Sequence, residues 1–256
     1  MTTLSLQNRR VRISLYMLIA LSFSYFFRVA PPAWFQAWDV PALWEPFKRL
    51  AGASGIFAGA FLMERLGQVP QRVTLGGTSW RNGLLMLALP VLLFTVMGVP
   101  HDSLNVHLFG LIVGLQAVLW VLLEEYGWRK YLHNELGDIK PLHRYLIIGG
   151  LWYTWHLWFL QHSLVEDPAN FLLNMVVGFT IIMSASWGLG VVVEQTKSVL
   201  TSACFHMLGS FIQFNPIITE NVDQGMRWVL FAVCLVVWVV ALVRWKPTRM
   251  SATTIG

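Results

Sequence analysis

Eight apolar stretches, most of them close to the length a helix needs to cross a bilayer, dominate this 256-residue chain. A hydrocarbon core about 30 Å thick takes roughly 20 apolar residues of helix, with about 17 to 25 the usual range. The stretches lie at about 13–30, 50–63, 83–99, 106–128, 145–160, 171–193, 199–214 and 228–245. The second is the shortest and is rich in Gly and Ala, which suits a re-entrant segment or a close-packing helix of the small-residue kind. Charged residues make up 12% of the chain and hydrophobic ones 56%. A soluble domain carries about 25% charge, so this chain has too few charges to cover a water-facing surface.

These features predict an all-α fold: a polytopic transmembrane helical bundle of about eight spans, forming a single domain over 1–256. Internal repeats and Pro-Gly-Ser linkers are not evident. Arg9, Arg10 and Arg12 before the first stretch also fit a signal peptide, but Pro31 and Pro32 follow its only plausible small-residue site, and the stretch reads better as a span. The net charge of +5 comes without a dense basic cluster, so no nucleic-acid surface is expected. Cys204 and Cys234 fall inside apolar runs, where a thiol behaves as a small hydrophobe rather than part of a disulfide framework.

Lys and Arg near span ends favour the cytoplasmic side. With both termini inside, the cytoplasmic loops hold Arg9, Arg10, Arg12, Arg65, Arg72, Arg81, Arg129, Lys130, Lys140, Arg144, Lys197, Arg244, Lys246 and Arg249. The outer side holds Arg28, Lys48, Arg49 and Arg227, so the division is fourteen to four. The loops around His101 and around Glu166 and Asp167 contain neither residue type, as expected of an outer face. The bilayer is the first partner this pattern implies.

An ionisable side chain within a span costs roughly 2.5 to 3.5 kcal/mol on insertion scales, and such residues usually face a cavity and mark function. Glu124 and Glu125 on the fourth stretch, His156 on the fifth and His206 on the seventh are the notable ones. Glu125 and Arg129 stand four apart with the acid first, the favourable order for a helical ion pair, while Glu124 is turned about 100° away. Trp152 and His156 are also four apart, as are His206 and Ser210. At about 1.5 Å per residue, Glu124 lies roughly 8 Å from Arg129, His206 about 13 Å from Lys197 and His156 about 18 Å from Arg144. All three therefore reach the cytoplasmic half of the bilayer or its middle, where they are able to meet. Against this stand plainer readings: an intramembrane His is often a packing residue, acids near a helix end often snorkel, and Trp152, Trp155, Trp158 and Phe159 suit helix packing or an interfacial belt. His101, His107, His133, His143 and His162 lie in or near predicted loops and carry no signal.

Glu124-Glu125-Tyr-Gly-Trp-Arg129 closely resembles the EExxxR motif of the CPBP family of CAAX-processing and bacteriocin-processing membrane proteases, also called Abi proteins. Trp152-Tyr-Thr-Trp-His156 resembles the family's second motif, with Trp where Phe is usual. His206-Met-Leu-Gly-Ser210 resembles the third, HxxxN, with Ser210 where Asn is common. The resemblance covers roughly 106–214, the fourth to seventh stretches, leaving 1–105 as accessory spans and 215–256 as a C-terminal span and tail. It implies an intramembrane endopeptidase in which Glu124 activates water with His156 assisting, His206 and Ser210 stabilise the oxyanion, and Glu125 and Arg129 support them. No cofactor is implied, and the substrate is a membrane-associated peptide or protein. A prenylated C-terminal peptide, a bacteriocin leader and a sorting tail all suit an apolar cavity beside lipid.

Peptide hydrolysis within a membrane needs a water, a base and donors for the oxyanion, and burial moves a carboxylate's pKa up toward the operating range. No GxSxG elbow or HExxH helix is present, and neither cysteine has an obvious His and acid beside it. Two alternatives stay open at this point. Glu124, His156 and His206 also form a plausible zinc set, which would make the chain a metallopeptidase. A chain that keeps these helices without the chemistry would be a membrane scaffold or bacteriocin-immunity protein, a reading that the serine at Ser210 keeps in view.

Overall fold

The computed structural model describes residues 6–29, 44–67, 69–157 and 168–245. Trp158, Phe159, His162, Glu166, Asp167, Lys246 and Arg249 lie outside them. Every regular element among the described residues is helical: α1 (Arg9–Ser24), α2 (Trp44–Gly67), α3 (Trp80–Met97), α4 (Val106–Glu125), α5 (Leu132–Glu135), α6 (Pro141–His156), α7 (Phe171–Thr196), α8 (Val199–Met207), α9 (Pro216–Asn221) and α10 (Gln224–Val243). π-Helical turns continue α1 over Tyr25–Val29, α4 over Tyr126–Tyr131 and α8 over Leu208–Gln213. Each of the eight apolar stretches thus contains a helix.

Helix starts follow local chemistry. The side chains of Asn8, Ser79, Ser198 and Asp223 accept hydrogen bonds from the first-turn amides of α1, α3, α8 and α10, which satisfies donors that a helix cannot pair internally. Asn105 does the same for α4, accepting from His107 N at 3.0 Å. Pro141, whose missing N–H costs nothing in a first turn, opens α6. Among the described residues, five helical segments are long and apolar enough to cross a membrane: Arg9–Phe27, Trp80–Met97, Val106–Glu135, Phe171–Thr196 and Gln224–Val243. Their outward faces carry large exposed apolar side chains, such as Leu172, Val176, Val236 and Val243, a surface suited to lipid rather than water.

The chain divides into two compact units. The first comprises Met1–Arg72 with Leu122–Val191, the second Val73–Val121 with Val192–Gly256. In the first, α2 lies against α1 as a helix of 24 residues, longer than the 50–63 stretch suggests. Its small residues set the approach: a Cβ on Gly55 would overlap Phe23, and one on Gly59 would lie 3.2 Å from the Tyr16 carbonyl oxygen. Close packing through small residues is therefore the role of this stretch. In α6 and α7, Ser186 donates to the Tyr145 carbonyl at 2.9 Å, beside Gly149, where a Cβ would stand 2.7 Å from Met183 Sδ.

In the second unit α4 approaches α3 through Gly110 and Gly114, where added Cβ atoms would overlap the Phe94 carbonyl and come within 3.0 Å of Val91 Cα. Thr74 pairs with the 197–199 turn, donating to the Lys197 carbonyl at 3.0 Å and accepting from Val199 N at 3.1 Å. The Trp238 indole on α10 donates to the Met86 carbonyl at 3.1 Å.

Candidate active site

The sequence-predicted site residues fall in both units. Glu124, Glu125, Arg129, Trp152 and His156 belong to the first, His206 and Ser210 to the second.

Glu124 and Glu125 are the last residues of α4, 1% and 0% exposed. Directly after them the helix widens, with the Leu132 amide donating to the Gly127 carbonyl five residues back. One extra residue in a turn redirects the side chains that follow it, and such bulges often sit at functional sites. Arg129, also 0% exposed, lies on this widened turn with its Nε 3.7 Å from Glu125 Oε2. Its guanidinium carbon stands 5.1 Å from the centroid of the Trp152 ring on α6, a cation–π arrangement that helps hold a charge away from water. The expected Glu125–Arg129 pair is thus present, and Trp152 takes part in it.

Trp152 also packs edge-on to His156, with ring centroids 5.8 Å apart, and Trp155 does so at 4.8 Å. Helix α6 ends at His156, whose Nδ1 is 2.8 Å from the Trp152 carbonyl oxygen. A carbonyl only accepts, so Nδ1 carries the proton in this contact and the neutral ring keeps a lone pair on Nε2. That is the form able to take a proton from water.

Three residues that sequence reasoning passed over complete this side. Glu64, in the last turn of α2, accepts from the Tyr126 hydroxyl at 2.8 Å and pairs with the Lys130 ammonium, which also lies 4.4 Å from the Tyr126 ring centroid. An acid directly after the 50–63 apolar run was the available signal. Tyr16 of α1 packs on Trp128 and Tyr131, with centroids 5.7 and 5.0 Å away. His133 is buried in α5 beside Tyr145 rather than placed in a loop. Below them Arg12 forms a buried ion pair with Glu135 and donates to the Leu6 and Gln7 carbonyls at 2.7 and 2.9 Å. Asp138, outside the spans, accepts from Arg9 at 2.6 Å, a contact that holds its exposed carboxyl below the ordinary aspartate range.

In the second unit His206, 7% exposed, stands near the end of α8, two residues before its π-helical extension. The Ser210 hydroxyl donates to the His206 carbonyl at 2.8 Å. Its one proton is therefore engaged within the helix. Neither unit groups three His, Cys, Asp or Glu side chains into a metal-binding set among its described residues.

A helical membrane protein with a buried acid pair and an arginine at the end of one span is the class these features define. Residues 106–212 match the family model described as type II CAAX prenyl endopeptidase Rce1-like, in agreement with the CPBP resemblance of the three motifs. The match and the apolar helices support an integral membrane protein with a protease role. No curated protein and no solved structure matches the chain.

Proposed function

We propose that the chain is an intramembrane endopeptidase of the CAAX-protease type, cutting a peptide bond near the terminus of a membrane-associated protein with a water activated by Glu124. The observation that carries this reading is the acid pair inside the family-matched stretch: both carboxylates are buried, and Glu125 is the one 3.7 Å from Arg129 Nε. Glu125 and Arg129 then form the support and Glu124 the base. His156, with its Nε2 lone pair, assists in taking the proton from water and passes it to the leaving amine.

His206 and Ser210 are assigned to the oxyanion formed at the scissile carbonyl. His206 supplies the main donor, because Ser210 has to release the His206 carbonyl before its hydroxyl can turn to substrate. In this reading spans four to seven form the core, residues 1–105 and 215–256 flank it, and the site opens toward the cytoplasm. No cofactor takes part.

The test uses purified full-length protein in lipid nanodiscs with a farnesylated peptide ending in a CAAX tetrapeptide. Glu124→Gln and His156→Ala are expected to abolish cleavage with the helical fold intact, while a chelator leaves the wild-type rate unchanged. Full activity in either variant overturns the assignment. Loss of cleavage on chelation with recovery on adding zinc replaces it with a metallopeptidase.

A further inference from the structure

Helix α4 carries two polar side chains that the acid motif does not account for. Its buried stripe runs through Phe109, Val113, Gln116, Trp120 and Glu124, at the three- and four-residue steps of one helical face. Leu108, Leu115 and Leu119, on the other side, are exposed. Gln116 is 7% exposed, and among the described residues neither its amide nitrogen nor its amide oxygen has a hydrogen-bond partner. Trp120 is 8% exposed, and its indole N–H likewise has none.

A buried primary amide with both ends unfilled is costly in any interior and rare in natural folds. Leu or Met would fill the same volume in an apolar helix without that cost. The pairing requirement is also particular: the carboxamide offers a donor and an acceptor in one plane, and the indole one donor a turn further on. Neither group is charged. A peptide backbone offers the same neutral donor and acceptor in return, in every residue and whatever its side chain.

We propose that Gln116 and Trp120 bind the backbone of an extended peptide substrate, with the Gln116 carboxamide pairing to one peptide unit and the Trp120 indole donating to a carbonyl nearer the scissile bond. The inference rests on the endopeptidase reading and adds to it a site for substrate backbone. Gln116 and Glu124 are eight residues apart on one helix, about 12 Å at its ordinary rise. An extended peptide advances about 3.3 Å per residue, so Gln116 would meet the substrate roughly three or four residues from the bond that Glu124 cuts. Recognition of this kind tolerates many sequences and disfavours substrates that stay helical, whose backbone groups are already paired.

The experiment measures binding and cleavage in parallel, with full-length protein in nanodiscs and farnesylated CAAX peptides, one set carrying a single N-methyl group at successive backbone amides. Gln116→Met and Trp120→Phe keep size and apolar character, and circular dichroism checks their fold. Each is expected to raise Kd and KM about tenfold, with the loss falling on KM rather than kcat. N-methylation three or four residues from the cut should weaken wild-type binding by a similar factor and have no further effect in Gln116→Met. Wild-type Kd in both variants, an N-methyl penalty that persists in Gln116→Met, or no binding of the peptide at all overturns the proposal. Gln116-dependent binding without any wild-type cleavage sustains the backbone site and refutes the peptidase reading instead.

Discussion

At Gly127 the acid motif meets the N-terminal helices, and a hydrogen atom is all the space allows. A Cβ there would overlap the Ile56 methyl and the Tyr16 hydroxyl and lie 3.2 Å from Tyr16 Cζ. Gly127 also supplies the carbonyl that the Leu132 amide reaches across the widened turn. Overpacking of a filled interior costs about 1–3 kcal/mol, and here the displaced atoms support the turn that carries Arg129. Gly127→Ala is expected to lower the thermal midpoint by several degrees and to reduce cleavage of a farnesylated CAAX peptide. Tyr16→Phe in the same chain should restore part of both by removing the hydroxyl. An unchanged midpoint in Gly127→Ala would show that α1 and α2 do not press on the motif. Ser210 differs in kind: its proton is engaged by the His206 carbonyl, so Ser210→Ala should reduce the rate by less than the roughly hundredfold loss typical of removing an oxyanion donor. His206→Ala should show that larger loss, and equal losses in the two variants would contradict this ranking.

The widened turn after α4 is held from outside the family-matched stretch, by Glu64 on one flank and Arg12 on the other. The Arg12–Glu135 pair is buried, its side chains 11% and 2% exposed, and removing one partner of such a pair typically costs about 3–5 kcal/mol because the other charge stays behind. Arg12→Met and Glu135→Met are each expected to destabilise the protein strongly against thermal unfolding, and the double variant to recover most of the loss. If the double variant loses the sum of the two single losses, the pair is not the relevant interaction. This element also shows where reading the chain stops. Hydropathy exposes the helices themselves, because lipid demands long apolar runs, and every stretch from 13–30 to 228–245 contains one. The Glu125–Arg129 pair is local and follows from spacing. The π-helical turns at Tyr126–Tyr131 and Leu208–Gln213 do not follow from it, since one extra residue in a turn leaves composition and hydropathy as they were. Glu64 and Arg12 reach the motif only through the packing of α1 and α2, at separations of 66 and 123 residues, and no local pattern encodes that. The same holds for Gln116, whose significance lies in the partners it lacks.

Across the whole molecule, the position of the catalytic chemistry relative to the cytoplasm depends on topology, and the charge distribution argues for one arrangement. Fourteen Lys and Arg residues against four favour termini on the inside. The segment around Gln71 would then be cytoplasmic and the loop around Ser103 external, with α3 alone between them. This pair is a sharp probe because α3, Trp80–Met97, is long and apolar enough to cross by itself, so the result does not depend on how many of the other helices cross. Gln71 and Ser103 are both exposed, and the native Cys204 and Cys234 are buried and should not react. In intact cells expressing Ser103→Cys, a membrane-impermeant maleimide is expected to label the protein. With Gln71→Cys it should label only after the membrane is opened. The reverse pattern would invert the molecule and place the acid pair at the end of α4 in the outer half of the bilayer, where a cytoplasmic prenylated C-terminus cannot reach it. Labelling of both positions in intact cells would mean that α3 does not cross, and the count of positive charges would then describe loops on one side of the membrane.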